Sequence, residues 1–245
     1  MAAHPAVGRR WVAMAPEPSR PARPIDAVVF DLDGVLIDSE PVWEEVRRAL
    51  VAEHGGRWQP DSQQRLMGMS TAEWARYLSQ ELGVGLPPTT VAELVIAGMA
   101  RRYQERLPFM DGAVEAVHRM ASRWPLALAS SSPRRLIDAT LDRADLARFF
   151  AVSVSTEEVG RGKPAPDVYL EVARRLAMDP RSCAAVEDSS NGLRSAARAG
   201  LLVVAVPHPR YPPDPDAVAG AAAVLPGLRA LTPELLEKLR GASAE

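Results

Sequence analysis

Short apolar runs alternate along the chain with longer amphipathic segments, and this alternation constrains the fold more than any other feature of the sequence. Such a pattern is typical of an α/β protein, in which helices connect the strands of a parallel sheet. Because apolar residues occupy both faces of these runs, each strand is expected to be buried under helices. The predicted strands are residues 25–30, 126–129, 151–154, 183–186 and 202–206, with an edge strand at 221–225.

The interval between the first two strands is much longer than a crossover requires. About 90 residues separate them, whereas a crossover connection needs about a dozen. Segments 40–53, 71–82 and 90–106 carry apolar residues at helical spacing; in the first these are Val42, Val46 and Leu50. A helical cap, residues 40–107, is therefore predicted to cover whatever the end of the first strand binds.

The remaining chain divides into a core and a leader. Residues 25–39 and 108–245 are predicted to form the core, with further helices at 112–123, 133–143, 167–177, 190–199 and 233–240. Residues 1–24 are rich in Ala, Pro and Arg, a composition that predicts a disordered leader.

Composition limits the classes of partner. With a net charge of −2 over 245 residues, the chain has no overall attraction for nucleic acid or an anionic membrane, so a small molecule is the expected partner. The single cysteine, Cys183, excludes an intrachain disulfide and suits the cytoplasm. No apolar run approaches the roughly 20 residues that span a bilayer. A cytoplasmic monomer is the default expectation, with a dimer as the alternative.

Two aspartates follow the first predicted strand. In the stretch VVFDLDGVLIDSEP, Asp31 and Asp33 stand at the carboxyl end of the strand, where open parallel sheets bind their ligands. Gly34 allows a sharp turn, so that one carboxylate and a neighbouring backbone carbonyl can face the same cation. The alternative is an acidic turn without a ligand.

A second acidic pair, Glu187 and Asp188, follows another predicted strand. Asp188 or Ser189 could instead simply cap the next helix. Carboxylates that converge about 4 Å apart repel by roughly 4 kcal/mol at an effective dielectric constant near 20, so a cation is needed among them. Oxygen ligands without His or Cys favour Mg²⁺.

Two segments supply a site for an anion. In LASSSP, a strand runs into a helix for which Ser132 is the predicted cap and Pro133 the first residue, and the free amides there can bind phosphate together with the Ser130 hydroxyl. In GRGKPAPD, Lys163 is one of two lysines in an arginine-rich chain, which indicates a need for a compact charge. A capped helix and a solvated lysine are the alternatives.

In this order, the segments DLDGV, LASSS, GKPAPD and VEDSSNG resemble motifs one to four of the haloacid dehalogenase superfamily of phosphatases. The chain is similar to the capped branch that contains beta-phosphoglucomutase and the small sugar-phosphate phosphatases, and the resemblance covers roughly residues 25–210. The resemblance implies a three-layer Rossmann-like core with an inserted helical cap. It also implies Mg²⁺-dependent hydrolysis of a small phosphorylated metabolite, a sugar phosphate, through an aspartyl-phosphate.

The resemblance also implies residue roles. Asp31 is the implied nucleophile, and Asp33 is the acid and base that protonates the leaving oxygen and then activates water. The implied Mg²⁺ ligands are Asp31, the backbone carbonyl of Asp33 and Asp188, with Glu187 in or beside that set. The implied phosphate-binding residues are Ser130, Ser131 and Lys163, of which Lys163 also counts as catalytic.

Departures from the family pattern distinguish its branches. Dehalogenases lack the second aspartate of motif one, so Asp33 argues against halide chemistry. Mutases like beta-phosphoglucomutase carry a histidine after motif one and an arginine in the cap, where this chain has Trp43 and Thr71. These differences favour a phosphatase. A sugar phosphomutase is the alternative, in which a second phosphate would be held by Arg65, Arg76, Arg101 or Arg102. A third hypothesis belongs to a different functional class: the chain is a binding module that captures an anion and catalyses no reaction.

Substrate selection is expected where the cap meets the core. The residues predicted to line that gap are Glu40, Trp43, Met67 and Met69, although packing within the cap is the alternative for Trp43 and the methionines.

Overall fold

The computed structural model describes residues 24–66 and 69–242, and six strands lie within this part of the chain. They are β1 (Ala27–Phe30), β2 (Leu126–Ser130), β3 (Phe150–Ser155), β4 (Cys183–Glu187), β5 (Leu202–Ala205) and β6 (Ala223–Val224). All neighbours pair in parallel, in the order β3-β2-β1-β4-β5-β6. The predicted α/β fold class is confirmed, and every predicted strand is present. The predicted leader lies outside the described residues, except for Pro24.

Ten α-helices connect or flank these strands in the described part of the chain. They are α1 (Glu40–Glu53), α2 (Ser62–Leu66), α3 (Thr71–Arg76), α4 (Pro88–Glu105), α5 (Ala113–Ala121), α6 (Arg134–Arg143), α7 (Asp167–Leu176), α8 (Ser190–Ala199), α9 (Pro215–Ala219) and α10 (Pro233–Ala242). Helix α3 continues directly into a π-helical turn, Tyr77–Glu81. None of the described helices is long and apolar enough to cross a bilayer.

Both faces of the central strands are buried, as their apolar composition predicts. In β1, Val28 and Phe30 belong to a hydrophobic cluster that includes residues of α5 and α6. The alternate residues Ala27 and Val29 belong to a second cluster with residues of α7 and α8. Because successive side chains of a strand point to opposite faces, the sheet lies between two helical layers.

Helices α1 to α4 all fall between β1 and β2 in the sequence, where the helical cap is predicted. Helix α4 packs against α1, α3 and also α6. The two connecting segments run side by side: the Asp38 amide donates to the Pro108 carbonyl at 2.7 Å, and the Met110 amide donates to the Leu36 carbonyl at 3.0 Å. The inserted helices therefore begin and end at neighbouring points, close to the carboxyl end of β1.

Candidate active site

The predicted acidic and phosphate-binding residues lie at one edge of the sheet. Asp31 follows β1, Ser130 ends β2 and Glu187 ends β4, and these three strands are neighbours. Because parallel strands point the same way, their carboxyl ends meet, and the side chains of three separate motifs converge.

Lys163 lies at the centre of this convergence. Its Nζ donates to Asp31 Oδ1 at 2.7 Å, to Glu187 Oε1 at 2.6 Å and to the Ala129 carbonyl at 3.0 Å. All three donors of the ammonium are thus used, and the side chain is 5% exposed. Burial by itself lowers the pKa of the lysine, but the charges of Asp31 and Glu187 outweigh it and raise the pKa above its usual value. Lys163 is therefore a permanent positive charge within the site.

Glu187 has no solvent exposure and is held by several donors. In addition to Lys163, the hydroxyl of Tyr169 donates to Oε1 at 2.7 Å, and the hydroxyl of Ser189 donates to Oε2 at 3.3 Å. Gly192, in the first turn of α8, makes this position possible, because a Cβ there would lie 2.0 Å from the Glu187 carboxylate. With both oxygens occupied, Glu187 chiefly positions Lys163.

Three buried carboxylates, those of Asp31, Glu187 and Asp188, place oxygen atoms within 4.8 Å of one another. Burial raises the pKa of Asp188, and the charges of Glu187 and Asp31 raise it further. Burial likewise raises the pKa of Asp31, against the opposing effect of Lys163. One ammonium thus does not neutralise the cluster.

The cluster has the features of a metal site. Asp188 Oδ1 is buried and has no hydrogen-bond partner among the described residues, so it is available as a ligand. Its neighbour Gly34 has φ +82°, and a Cβ there would lie 2.0 Å from Asp188 Oδ2, so glycine is required for this approach. Oxygen donors without His or Cys are the ligands of hard divalent cations. The residues present therefore fit a divalent metal ion.

Asp33 is separated from this cluster and held by hydroxyl groups. Ser39 donates to Oδ1 at 2.6 Å, and Ser132 and Ser130 donate to Oδ2 at 2.7 and 3.3 Å. The prediction that Ser132 caps α6 is wrong: Pro133 occupies the cap position, and the hydroxyl of Ser132 is directed to Asp33 instead. A carboxylate acceptor from the loop after β1 competes successfully with the local backbone amides.

The predicted phosphate-binding serines differ in their surroundings. Ser130 is fully buried, and its hydroxyl also accepts from the Ser132 amide at 2.9 Å. Ser131 is exposed and lines the cavity described below. Ser189 caps α8 by accepting from the Gly192 amide at 3.1 Å, as the capping interpretation allows.

A cavity of about 240 Å³ opens above these groups. Core residues form one wall, including Asp31, Asp33, Lys163 and Asp188, and residues of the inserted helices form the other. The predicted gap residues Glu40, Trp43 and Met69 line it, together with Thr71, whereas Met67 lies outside the described residues. The arginines considered for a second phosphate, Arg65, Arg76, Arg101 and Arg102, are exposed and are not among the lining residues.

Arg47 and His208 line the cavity and were not expected there. Arg47 is 5% exposed, on a face of α1 that also buries Trp43 and Leu50. Its position four residues after Trp43 and three before Leu50 is the signal that could have identified it, since a charged residue at that spacing faces the interior. For His208, whose Nε2 lies 3.1 Å from Asp38 Oδ1, no comparable pattern exists in the sequence.

Comparison with known proteins gives consistent matches. The family model of the haloacid dehalogenase-like hydrolases matches residues 25–200. Phosphorylated carbohydrates phosphatase of Thermotoga maritima is 35% identical over 178 residues, which cover 72% of this chain and 82% of that protein. Hexitol phosphatase B of Escherichia coli is 35% identical over 199 residues, covering 79% and 88%.

Among solved structures, the chain resembles one from Thermotoga maritima that is provisionally assigned as a beta-phosphoglucomutase. The two share 32% identity with a TM-score of 0.67, over 87% of this chain and 97% of the other.

Proposed function

The chain belongs to the haloacid dehalogenase-like hydrolases and is a phosphoric monoester hydrolase; from this premise we propose that it is a Mg²⁺-dependent phosphatase of a small sugar phosphate. The observation that carries the proposal is the arrangement of Asp31, Lys163 and Asp188 at the base of a cavity, with Asp33 beside them. An anionic nucleophile can approach a phosphate dianion only where positive charge offsets both, and Lys163 supplies such a charge.

The reaction takes place in two displacements. In the first, a carboxylate oxygen of Asp31 bonds to phosphorus while the ester P–O bond breaks, and Asp33 gives a proton to the departing oxygen. In the second, Asp33 takes a proton from water, whose oxygen attacks phosphorus and releases phosphate and the Asp31 carboxylate. The hydroxyls of Ser39 and Ser132 orient Asp33 for both transfers. The proposed phosphoryl ligands are Ser131 and Lys163, which line the cavity, and the buried Ser130. To bind the phosphoryl group, Lys163 would exchange its bond to the Ala129 carbonyl and Ser130 its bond to Asp33.

The proposed metal ligands are Asp31, Asp188 and the backbone carbonyl of Asp33, with Glu187 beside them. The unpartnered Oδ1 of Asp188 supports this set, since it has no other acceptor role in the described structure. Bound Mg²⁺ supplies positive charge that offsets the carboxylates and the phosphoryl oxygens. Glu187 keeps Lys163 against Asp31 and is for this reason a positioning residue.

Residues 40–107 are proposed to act as the cap of residues 25–39 and 108–245. The cavity between the two parts supports this division, because residues of both line it. A sugar phosphate is the proposed substrate because the related proteins are named as phosphatases of phosphorylated carbohydrates and of hexitol phosphates. Cytoplasmic location and a monomeric state are retained as proposals.

A sugar phosphomutase is the second candidate, favoured by the structural similarity to the provisionally assigned beta-phosphoglucomutase. A mutase transfers the phosphoryl group back to the sugar and must exclude water during that step. Trp43 and Thr71, which line the cavity, are the residues that the motif spacing predicts where such mutases carry histidine and arginine, and this prediction favours hydrolysis.

The two candidates separate in a single assay. The purified protein is incubated with a panel of sugar phosphates, with Mg²⁺ or with a chelator, and both free phosphate and isomerised sugar phosphate are measured. A phosphatase releases phosphate only with Mg²⁺, and Asp31→Asn abolishes the release. The exposed Asp26, at the opposite end of β1, provides the matched control Asp26→Asn. Steady release by the Asp31→Asn variant would contradict the mechanism, and isomerisation without release would establish the mutase.

A further inference from the structure

Arg47 is a buried cation that the proposed chemistry does not use. Its side chain lies against two indole rings, with the guanidinium carbon 4.6 Å from the ring centroid of Trp43 and 5.2 Å from that of Trp74. These cation–π contacts fix the guanidinium within the cavity wall formed by the inserted helices. A guanidinium so fixed is already oriented for recognition, because little rotamer freedom is left to lose on binding.

The guanidinium also lacks hydrogen-bond partners. Its Nε is buried and unpartnered, and neither Nη forms a hydrogen bond or an ion pair with any residue the structure describes. Burial lowers the pKa of Arg47 to about 10, against the opposing charge of Glu40, so the group remains charged at neutral pH. A buried cation with unused donors is costly, and a ligand in the cavity can supply acceptors to the two Nη groups, which are not fully buried.

Glu40 faces the same cavity from the first turn of α1. Seven residues are nearly two full turns, so Glu40 and Arg47 lie on one face of the helix. Glu40 Oε2 accepts from Gln63 Nε2 at 2.7 Å, whereas its Oε1 forms no hydrogen bond with the described residues. The two charged groups attract each other but form no ion pair, and each retains capacity for a ligand.

The chemistry of this pair selects among ligand groups. A carboxylate or a second phosphate would satisfy Arg47 but would be repelled by Glu40. A hydroxyl group can donate to the carboxylate while a neighbouring hydroxyl accepts from the guanidinium. A neutral chain that carries adjacent hydroxyls therefore satisfies both groups at once.

We propose that Arg47 and Glu40 form a subsite that binds adjacent hydroxyl groups of the substrate's unphosphorylated end, a role that rests on the proposed phosphatase activity. The phosphoryl group binds at Asp31 and Lys163, and the carbon chain extends toward α1. The subsite makes Arg47 a specificity-determining residue.

Steady-state kinetics with three substrates test the subsite. Glucitol 6-phosphate carries a neutral hydroxyl chain, 6-phosphogluconate carries a carboxylate at the far end of a similar chain, and p-nitrophenyl phosphate carries no hydroxyl. The variants are Arg47→Met and Glu40→Gln. Arg48→Met and Glu53→Gln are matched controls, since both residues are exposed on the same helix.

We expect Arg47→Met to lower kcat/KM for glucitol 6-phosphate, relative to p-nitrophenyl phosphate, by about 10- to 100-fold and chiefly through KM. Glu40→Gln should lower the same ratio by about 10-fold and raise the relative rate with 6-phosphogluconate, because the repulsion is removed. The two control variants should keep the wild-type ratio within about twofold.

Three results would overturn the subsite. A wild-type preference for 6-phosphogluconate that Arg47→Met abolishes would make Arg47 an anion site instead. An equal loss of activity with all three substrates in Arg47→Met would assign the residue a structural role, and unfolding curves of the variants would show the accompanying loss of stability. If wild-type protein hydrolyses no substrate, not even p-nitrophenyl phosphate, the proposed phosphatase fails and the subsite fails with it.

Discussion

Nζ of Lys163 lies 2.7 Å from Oδ1 of Asp31, and both side chains are almost completely buried. The same ammonium contacts Glu187 at 2.6 Å, so one positive charge is shared by two carboxylates. A buried ion pair of this kind contributes little net stability, but removing one partner leaves an uncompensated charge in the interior. The site is therefore sensitive to the loss of Lys163 in both activity and stability.

Substitution Lys163→Met should lower kcat/KM by about 1,000-fold, because the positive charge beside the nucleophile is lost. The free energy of unfolding should fall by about 3 kcal/mol in urea denaturation without metal, since the buried carboxylate of Glu187 loses its positively charged partner. Lys163→Arg should not restore activity, because a planar guanidinium exceeds the space that this ammonium occupies.

The only other lysine, Lys238, lies exposed on α10 and provides the matched control. Lys238→Met should leave kcat/KM and the free energy of unfolding close to the wild-type values. Retention of more than a tenth of the activity by Lys163→Met would show that the lysine is not required for transfer.

Substitution Asp33→Asn should separate the two displacements. An amide cannot protonate the leaving oxygen or accept a proton from water, so turnover of a sugar phosphate should fall by about 100- to 10,000-fold. With p-nitrophenyl phosphate, whose leaving group needs no proton, Asp31 should still be phosphorylated once. Rapid-mixing measurements should show a burst of nitrophenol equal to the enzyme concentration, followed by slow release. If Asp33→Asn shows no burst and loses activity with both substrates, Asp33 has a role other than proton transfer.

The sheet and its edge could be predicted because the relevant signals are local. Strands buried on both faces are apolar throughout, and the acidic motifs follow them directly, so parallel order alone brings Asp31 and Glu187 together. Helices α2 and α9 were not predicted, since five residues are too few for a helical period to show. Helix α3 is shorter than expected because it continues as a π-helical turn.

The positions of two side chains were not predicted, because the residues that they contact are remote in sequence. The hydroxyl of Ser132 reaches Asp33, 99 residues away, instead of capping its own helix. Of the three residues predicted on the interior face of α1, Leu50 is buried, but Val42 and Val46 are only partly buried. Trp43 and Arg47 face the interior more fully. The burial of Arg47 depends on the indole of Trp74 from α3, which no local pattern on α1 can reveal.

Substitution Gly192→Ala should displace Glu187. A Cβ at this position would meet the carboxylate at 2.0 Å, so either the helix or the side chain must move. We expect the free energy of unfolding to fall by about 2 kcal/mol and kcat to fall by about 10-fold or more, as Lys163 loses its support. Gly220→Ala is the matched control, because its Cβ would make only an ordinary contact of 3.7 Å. If Gly192→Ala and Gly220→Ala have the same free energy of unfolding and the same kcat, Glu187 tolerates displacement.

We expect the stability of the metal-free protein to depend on pH through Asp31. Burial raises the pKa of Asp31 from 3.8 to about 8 in the folded protein without metal. Between these values the folded state keeps a proton that the unfolded state has released, so the free energy of unfolding should decrease as pH rises from 4 to 8. The raised pKa of Lys163 affects the free energy of unfolding only above pH 10.5, its unfolded pKa. The lowered pKa of Glu158 affects it only below pH 4.5.

Mg²⁺ should reverse this destabilisation, since it binds the ionised carboxylates. We expect saturating Mg²⁺ to raise Tm by about 5 °C or more at pH 8 and by much less at pH 5, in thermal unfolding followed by circular dichroism. Asp188→Asn should reduce the pH dependence of the free energy of unfolding and remove most of the rise in Tm caused by Mg²⁺. The control Asp26→Asn should retain both. Equal stabilisation by Mg²⁺ at the two pH values, or stability that increases from pH 5 to pH 8 without metal, would contradict the assignment of this cluster.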